Sequence, residues 1–443
     1  MIWGLNVDVL DQRLKQPPYD RFKLSVLLHH VDNKKPVYTY NSQQLMVPAS
    51  LVKLVLTATC LNDLGKHFRY RTNVYLDHSN PPSIYIKGVG DPNITVDQLQ
   101  LVAQLLRQKN IDVIDRIVLD DGQIMVDDVN YGVSPKYYYA GYGGLNAHYN
   151  QVQLSYDFNQ RQFLFEPDSG YSNIIAFDLD VFDSVSQRGF PIIKLYDGSD
   201  NDIYTVTGKM TALDTQSNDF KLRVSKPGVY FAQLMQKQLA AAGIVVLNDV
   251  RFTDVNISQL NYVTHLLSPS LVDYLKVLNQ ESNNMLAMGL AATLGRLYEG
   301  VPGTLSGGVR RLDYFLTKTR GFAYDSFYFK DSSGLSHANG LTAQQLMSTL
   351  DFLQQRYAND FTQLLVNIDE SGDYADVTIN DRYEVYVKSG TLSSIGVNNL
   401  AAEIYDKISH IRYNLVIMCQ VPSEFRPAFK GQFTKPLLED LLQ

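Results

Sequence analysis

Val47-Pro48-Ala49-Ser50-Leu51-Val52-Lys53-Leu54-Val55-Leu56 is the stretch on which the reading of this chain turns. An extended segment meets an apolar helical run there. Ser50 is the only serine in the sequence followed three residues later by a lysine. Three residues make about one helical turn, so the Ser50 hydroxyl and the Lys53 ammonium share a face. A lysine desolvated in an apolar run loses its proton more readily, and its neutral amine can take the serine proton. That makes a nucleophile without histidine. The same residues also read as a helix start with a solvated lysine, and two later stretches decide between the readings.

The second stretch is Ser282-Asn283-Asn284, in the break between two apolar-periodic helical runs, Ser270–Leu278 and Asn284–Leu297. A loop serine can relay a proton, and an asparagine two residues on can point into the same cleft. The plainer reading is a pair of helix-capping side chains. A literal Ser-Asp-Asn also occurs at Ser199-Asp200-Asn201, but Asp197-Gly198 before it marks a turn between strands. The third stretch is Lys388-Ser389-Gly390-Thr391, read at the end of a strand over Tyr383–Val387. A strand edge can pair with an extended peptide, and Gly390 leaves room for a substrate backbone to approach. Lys388 with the Ser389 and Thr391 hydroxyls can hold a carboxylate. A hairpin turn is the alternative, since Ser-Gly favours one.

The rest of the composition bounds the answer. A chain of 443 residues is too long for one small core and implies two or three domains. Net charge is −7 with no basic cluster, which speaks against nucleic acid as a partner. The 29 tyrosines suit strands, and also surfaces that meet sugars and peptides. Cys60 and Cys419 both sit in apolar runs and read as buried free thiols, with one disulfide as the alternative. The eight histidines lack metal-ligand spacing, and His29-His30 falls in an expected strand, so neither a metal nor another cofactor is expected. There is no Gly-x-Ser-x-Gly elbow, and Gly88-Val89-Gly90 is not followed by a dinucleotide fingerprint. No run of 18 apolar residues predicts a membrane span. Met1-Ile2-Trp3-Gly4 lacks a leader pattern, which predicts a cytoplasmic protein or a mature form whose leader was removed.

Periodicity predicts α/β order at both ends and a mainly β middle. Strands are expected over Phe22–His30 and Pro36–Tyr40, and a helix from Ser50 to about Asp63. Further strands are expected over Arg71–Leu76, Ser83–Lys87, Ile114–Leu119 and Gln123–Val126, with a sharp loop at Gly88–Pro92. Residues 130–145 read as a long loop, 151–225 as mostly strands, and Pro227–Ala242 as a helix. Strands return at Val385–Lys388, Leu400–Tyr405 and Tyr413–Val421. One domain made from both chain ends, with the middle inserted between, accounts for this order.

A Ser-x-x-Lys at a helix start, a Ser-x-Asn in a helix break and a Lys-Ser-Gly on a strand, in this order, match the motif triple of serine β-lactamases and penicillin-binding proteins. The chain more closely resembles the D-alanyl-D-alanine carboxypeptidase/endopeptidase family, the low-molecular-mass class C penicillin-binding proteins. Pro48–Lys53 matches its first motif, Gly88–Pro92 its Gly-Asp-Pro loop, and Ser225–Ala242 the segment closing its inserted region. His265–Ser270 precedes Ser282 as in that family, and Asp331-Ser332-Ser333-Gly334-Leu335-Ser336 resembles its Asp-Gly-Ser-Gly-Leu-Ser. The long gap from Lys53 to Ser282 is the family's mark and sets the chain apart from an ordinary class A β-lactamase. Two departures stand out: Ser389 replaces the usual Thr, and Ala287-Met288 follows where the family often has Ala-Glu.

The resemblance implies an α/β and α+β multidomain fold: a β-lactamase/transpeptidase-like domain, an antiparallel sheet with helices formed by both chain ends, carrying mainly β inserted domains. Boundaries are expected at 1–65 plus 265–443 for the catalytic domain, 66–92 plus about 165–264 for one inserted domain, and about 93–164 for a second, nested one. It implies a Ser50 acyl-enzyme with Lys53 as base, Ser282 and Lys388 relaying a proton, Asn284 orienting the substrate amide, and Ser389, Gly390 and Thr391 lining the substrate's place. It also implies peptidoglycan stem peptides and β-lactam antibiotics as partners, and a periplasmic or envelope location reached by export. Peripheral membrane attachment and a homodimer are compatible with it. The rival expectations are a β-lactamase-like serine hydrolase and a non-catalytic peptidoglycan-binding scaffold.

Overall fold

The computed structural model describes residues 4–125, 133–157, 159–182, 191–198, 201–211, 220–428 and 433–443. Ser199-Asp200 of the second Ser-Asp-Asn copy, Val126 of the strand expected over Gln123–Val126, and 130–132 of the expected loop lie outside the described residues, as do parts of 151–225. Contacts between residues divide the chain into two units. One comprises 1–68, 270–283 and 308–443, and the other 69–269 and 284–307.

The first unit is built on a six-stranded sheet. In spatial order its strands are Val366–Asn367, Tyr383–Leu392, Val397–Asp406, Ile411–Gln420, Lys23–His30 and Pro36–Tyr40. All neighbours are antiparallel. Lys23–His30, from the start of the chain, pairs along its whole length with Ile411–Gln420, from its end. Both chain ends therefore close one sheet. One face packs Val26, Leu28, Val385, Leu400, Leu415 and Ile417 against Leu10 and Leu14 of the helix Val7–Leu14 and Leu437, Leu438 and Leu441 of the helix Lys435–Leu442. The helices Val52–Asp63 and Ala343–Phe361 pack on each other, and the second lies on Ile411–Gln420 and Lys23–His30. Residues 52–61 are buried all round, as expected of a helix inside a core rather than on its surface.

One expectation near the site is corrected. The strand expected to stop at Lys388 runs from Tyr383 to Leu392, so Lys388–Thr391 lies within it and is not a turn. Its partner decides this: Lys388, Ser389, Gly390 and Thr391 pair with Ala401, Leu400, Asn399 and Asn398, and the cross-strand ladder overrides the local turn preference of Ser-Gly. The short strand Val366–Asn367 covers the outer edge only at Val387 and Tyr386. Among the described residues no strand pairs with that edge from Lys388 onward.

The second unit holds a five-stranded sheet ordered Arg251–Phe252, Ile117–Asp120, Ile84–Lys87, Arg71–Leu76 and Asn261–Leu267. Ile117–Asp120, from the stretch expected to form a nested domain, thus pairs with Ile84–Lys87, from the stretch expected to flank it. The helices Val96–Gln108 and Pro227–Ala241 supply Leu99, Val102, Leu106, Phe231 and Met235 to its core. Among the described residues the unit also holds two three-stranded and two two-stranded sheets. Asp91–Ile94 is a strand rather than part of a loop. The described part of that expected strand, Gln123–Met125, is not a regular strand: Ile124 makes an isolated bridge to Gly303. Cys60 and Cys419 are buried and unbonded to each other. No helix among the described residues is long and apolar enough to cross a membrane.

Candidate active site

The first unit brings Ser50, Lys53, Ser282, Lys388, Ser389, Gly390 and Thr391 onto one body. A 3-10 turn over Ala49–Leu51 leads into the helix Val52–Asp63, which sets Ser50 and Lys53 one turn apart. Lys53 Nζ lies 3.0 Å from Ser50 Oγ. The lysine is wholly buried. Burial pushes its pKa well below the ordinary lysine value, the Lys388 charge adds to that, and Asp331 opposes it.

The turn carrying Ser50 is held by close backbone packing. A Cβ at Gly334 would stand 2.1 Å from the Ala49 carbonyl oxygen and 2.7 Å from Ser50 N, and Gly334 itself has a left-handed φ of +91°. A Cβ at Gly390 would stand 2.9 Å from the Pro48 oxygen and 3.2 Å from Ser50 N. The missing side chain of Gly390 therefore makes room for the chain that bears Ser50, not for a substrate backbone, and the expectation for Gly390 is corrected accordingly. Ala49 has a φ of +49°, a conformation that costs a non-glycine residue about 1 kcal/mol or more. Asn399 ties this turn to the sheet: its amide donates to the Val47 carbonyl at 2.9 Å while its oxygen accepts from Cys419 N–H at 3.0 Å. Gly334→Ala is expected to cost about 1–3 kcal/mol in denaturant unfolding, by overpacking, and to slow acylation of Ser50 by displacing its backbone. A variant of wild-type stability that acylates at the wild-type rate would show that the approach is not needed.

The loop Asp331–Ser336 was visible in the sequence, but its working part was not. The Asp331 carboxylate accepts from the backbone N–H groups of Ser333 (3.1 Å), Gly334 (2.7 Å) and Ser336 (2.8 Å), and from the Asn339 amide (3.0 Å). Asn339 in turn accepts from Lys330 N–H at 2.6 Å. The loop so fixed presents the Ser333 carbonyl oxygen to Lys53 Nζ, which donates to it.

Ser282 follows the helix Leu271–Gln280 with a left-handed φ of +55°. Its hydroxyl oxygen accepts from Lys388 Nζ at 3.1 Å. Lys388 is also buried and donates to the Ser389 carbonyl at 2.9 Å. Burial brings its pKa down to about 8, with the nearby Asp373 charge opposing the fall. The Ser389 hydroxyl donates to Asp373 at 2.6 Å, a partner the sequence reading missed. Thr391 is exposed, and its hydroxyl oxygen accepts from the Asn398 amide at 3.4 Å. Asn284 groups with the second unit, where its buried amide donates to the Tyr138 carbonyl at 3.1 Å. Met288, one of the two departures, lies buried in the apolar helix Asn284–Glu299.

A serine beside a buried, desolvated lysine, with a second lysine–serine pair and an open strand edge, is the equipment of acyl transfer without histidine or metal ligands. Solved structures with this fold include a penicillin binding protein and peptidoglycan endopeptidases. Penicillin binding protein 4 (dacB) from Haemophilus influenzae is 20% identical with a TM-score of 0.74, the match covering 98% of this chain and 99% of that one. Bd3459, a predatory peptidoglycan endopeptidase from Bdellovibrio bacteriovorus, is 15% identical with a TM-score of 0.55, covering 95% and 92%. The penicillin G-acylated form of Bd3459, with its immunity protein, is 14% identical with a TM-score of 0.53, covering 95% and 93%. The family model of the D-Ala-D-Ala carboxypeptidase 3 (S13) family matches residues 6–407, and the chain belongs to that family. It is thereby a serine-type peptidase of the cell-wall-acting kind.

Proposed function

We propose that Ser50 is the nucleophile of a D-alanyl-D-alanine carboxypeptidase/endopeptidase that cleaves peptidoglycan stem peptides or their cross-links and is covalently inhibited by β-lactams. The observation that carries this is the 3.0 Å contact between Ser50 Oγ and Nζ of the fully buried Lys53. Family membership supports the substrate class, and the penicillin-acylated relative supports the inhibitor class.

Neutral Lys53 takes the Ser50 proton as Oγ attacks the carbonyl carbon of the penultimate D-alanine. The backbone N–H groups of Ser50 and Thr391 receive the developing oxyanion, each worth roughly 3–4 kcal/mol by analogy with other acyl-transfer sites. Lys388, Ser389 and Thr391 hold the substrate's terminal carboxylate. Ser282, bonded to Lys388, passes a proton to the leaving nitrogen, the C–N bond breaks, and an ester to Ser50 remains. Water hydrolyses the ester and restores the hydroxyl. Asn284, two residues after Ser282, orients the substrate amide, a role that rests on the motif. We further propose a catalytic domain built from both chain ends around an inserted region, and action in the periplasm or envelope, where the polymer is.

Intact-protein mass after incubation with benzylpenicillin tests the reading. A one-to-one covalent adduct is expected. Hydrolysed penicillin without a lasting adduct would make the chain a β-lactamase, and neither adduct nor hydrolysis would leave a binding scaffold.

A pH dependence follows from Lys388. With a pKa near 8 it is charged at pH 7 and loses its charge, and its hold on a carboxylate, as the pH rises through about 8. The acylation rate with benzylpenicillin should fall on that limb, with an apparent pKa that belongs to the Lys53–Lys388 pair. Lys388→Arg, which stays charged, should push the limb to higher pH. A basic limb unmoved by that change would rule out Lys388 as its source.

A further inference from the structure

The Ser389 hydroxyl has one hydrogen to give, and it goes to Asp373 Oδ2 at 2.6 Å. The same carboxylate is close enough to act on the charge of Lys388. Asp373 therefore holds one of the three groups assigned above to the substrate's terminal carboxylate and acts through its charge on a second. It is not presented by chance from a loose loop. Its own N–H donates to the Ser371 hydroxyl at 3.3 Å, and the N–H groups of Tyr374 and Ala375 return to the Ser371 carbonyl at 3.2 and 2.9 Å. Tyr374, wholly buried, anchors the turn through its hydroxyl contact with Thr434 at 2.6 Å. The Asp373 side chain itself is exposed, so it can yield its place to an incoming group without a buried charge being stranded.

We propose that Asp373 is a specificity-determining residue: a resident carboxylate that competes with the substrate's terminal carboxylate for Ser389 and Lys388, and so blunts the preference for peptides ending in a free acid. The proposal rests on the functional reading above. While the site is empty, Asp373 keeps the Ser389 hydroxyl turned toward itself and a countercharge beside Lys388. A substrate acid must displace the first and is repelled by the second. A terminus without that charge is repelled by neither. Asp373 thus narrows the advantage that Lys388 gives to free acids.

The test compares wild type, Asp373→Asn and Asp373→Ala on an N-acylated peptide ending in D-Ala-D-Ala and on the same peptide ending in a carboxamide. Asn removes the charge and keeps an acceptor for Ser389, while Ala removes both, and the second variant stands in if the first fails to fold by thermal melting. The ratio of kcat/KM for acid over carboxamide should rise about three- to tenfold, the scale of one exposed charge-assisted contact. The change should appear in KM for the acid rather than in kcat. An unchanged ratio overturns the proposal, and a lowered one shows that Asp373 instead helps Ser389 to bind. Benzylpenicillin adducts measured on the same preparations separate the two readings. A wild-type adduct with an unchanged ratio removes only the role of Asp373, whereas a wild type without adduct removes both.

Discussion

Ser50→Ala is expected to abolish the benzylpenicillin adduct expected of the wild-type chain and to lower peptide cleavage by about 10⁶-fold, the scale on which other serine peptidases respond to loss of the nucleophile. Whatever remains comes from binding and the oxyanion donors. The variant should fold as the parent does. The Ser50 position is set by its backbone, through the close approaches of Gly334 and Gly390 and the bond from Asn399 to Val47, and alanine keeps all three. Its unfolding free energy should therefore lie within about 0.5 kcal/mol of wild type. Intact mass spectrometry and denaturant unfolding on one preparation separate chemistry from folding. A persistent one-to-one adduct on Ser50→Ala would move the nucleophile to another serine, with Ser282 the first to examine.

Removing Lys53, the proposed base, is expected to give the second large effect. Lys53→Ala and Lys53→Met are both expected to slow acylation by about 10²–10⁴-fold, the usual contribution of a positioned proton acceptor. Methionine nearly fills the lysine's space, so it discounts the cavity that alanine leaves. Normal acylation by Lys53→Met would refute the base. Linkage supplies an independent readout. The folded-state pKa of Lys53 is depressed below its unfolded value of about 10.5, so unfolding takes up a proton between the two. The burial penalty of Lys53 is full below the folded pKa and disappears as the pH rises to the unfolded one. Wild-type stability relative to Lys53→Met should therefore rise with pH over that window. A flat difference would mean that the lysine titrates alike in both states.

The part of this site readable from sequence is the part governed by local geometry. One helical turn fixes the distance from Ser50 to Lys53, and their apolar neighbours foretell burial. Ser282 and Lys388, far apart in the chain, could be paired only because the motif order resembles a family. What escaped depends on which backbone faces which. Gly390 reads as a clearing for substrate until the sheet register turns it toward Pro48 and Ser50. Asp373, Asn339 and Asn399 do their work from irregular turns or from the next strand, where no periodicity marks them. The same holds for the length of the strand Tyr383–Leu392, since Ser-Gly favours a turn until Val397–Asp406 supplies its ladder. In the inserted region, alternation revealed strands such as Arg71–Leu76 but not their partners, and Ile117–Asp120 joins a sheet that linear order assigned elsewhere.

The pairing of Lys23–His30 with Ile411–Gln420 has a consequence in time. At ribosomal speeds of about 5–20 residues per second, roughly 20–80 s separate the emergence of these two strands. For most of that interval Ser50 and Lys53 are already synthesised, but the strand bearing Lys388 and Gly390, against which the Ser50 turn packs, is not. Ser50 is thus made well before the strands that fix its place. A chain released before Ile411 would carry Ser50 without the strand that joins Lys23–His30 to Val397–Asp406.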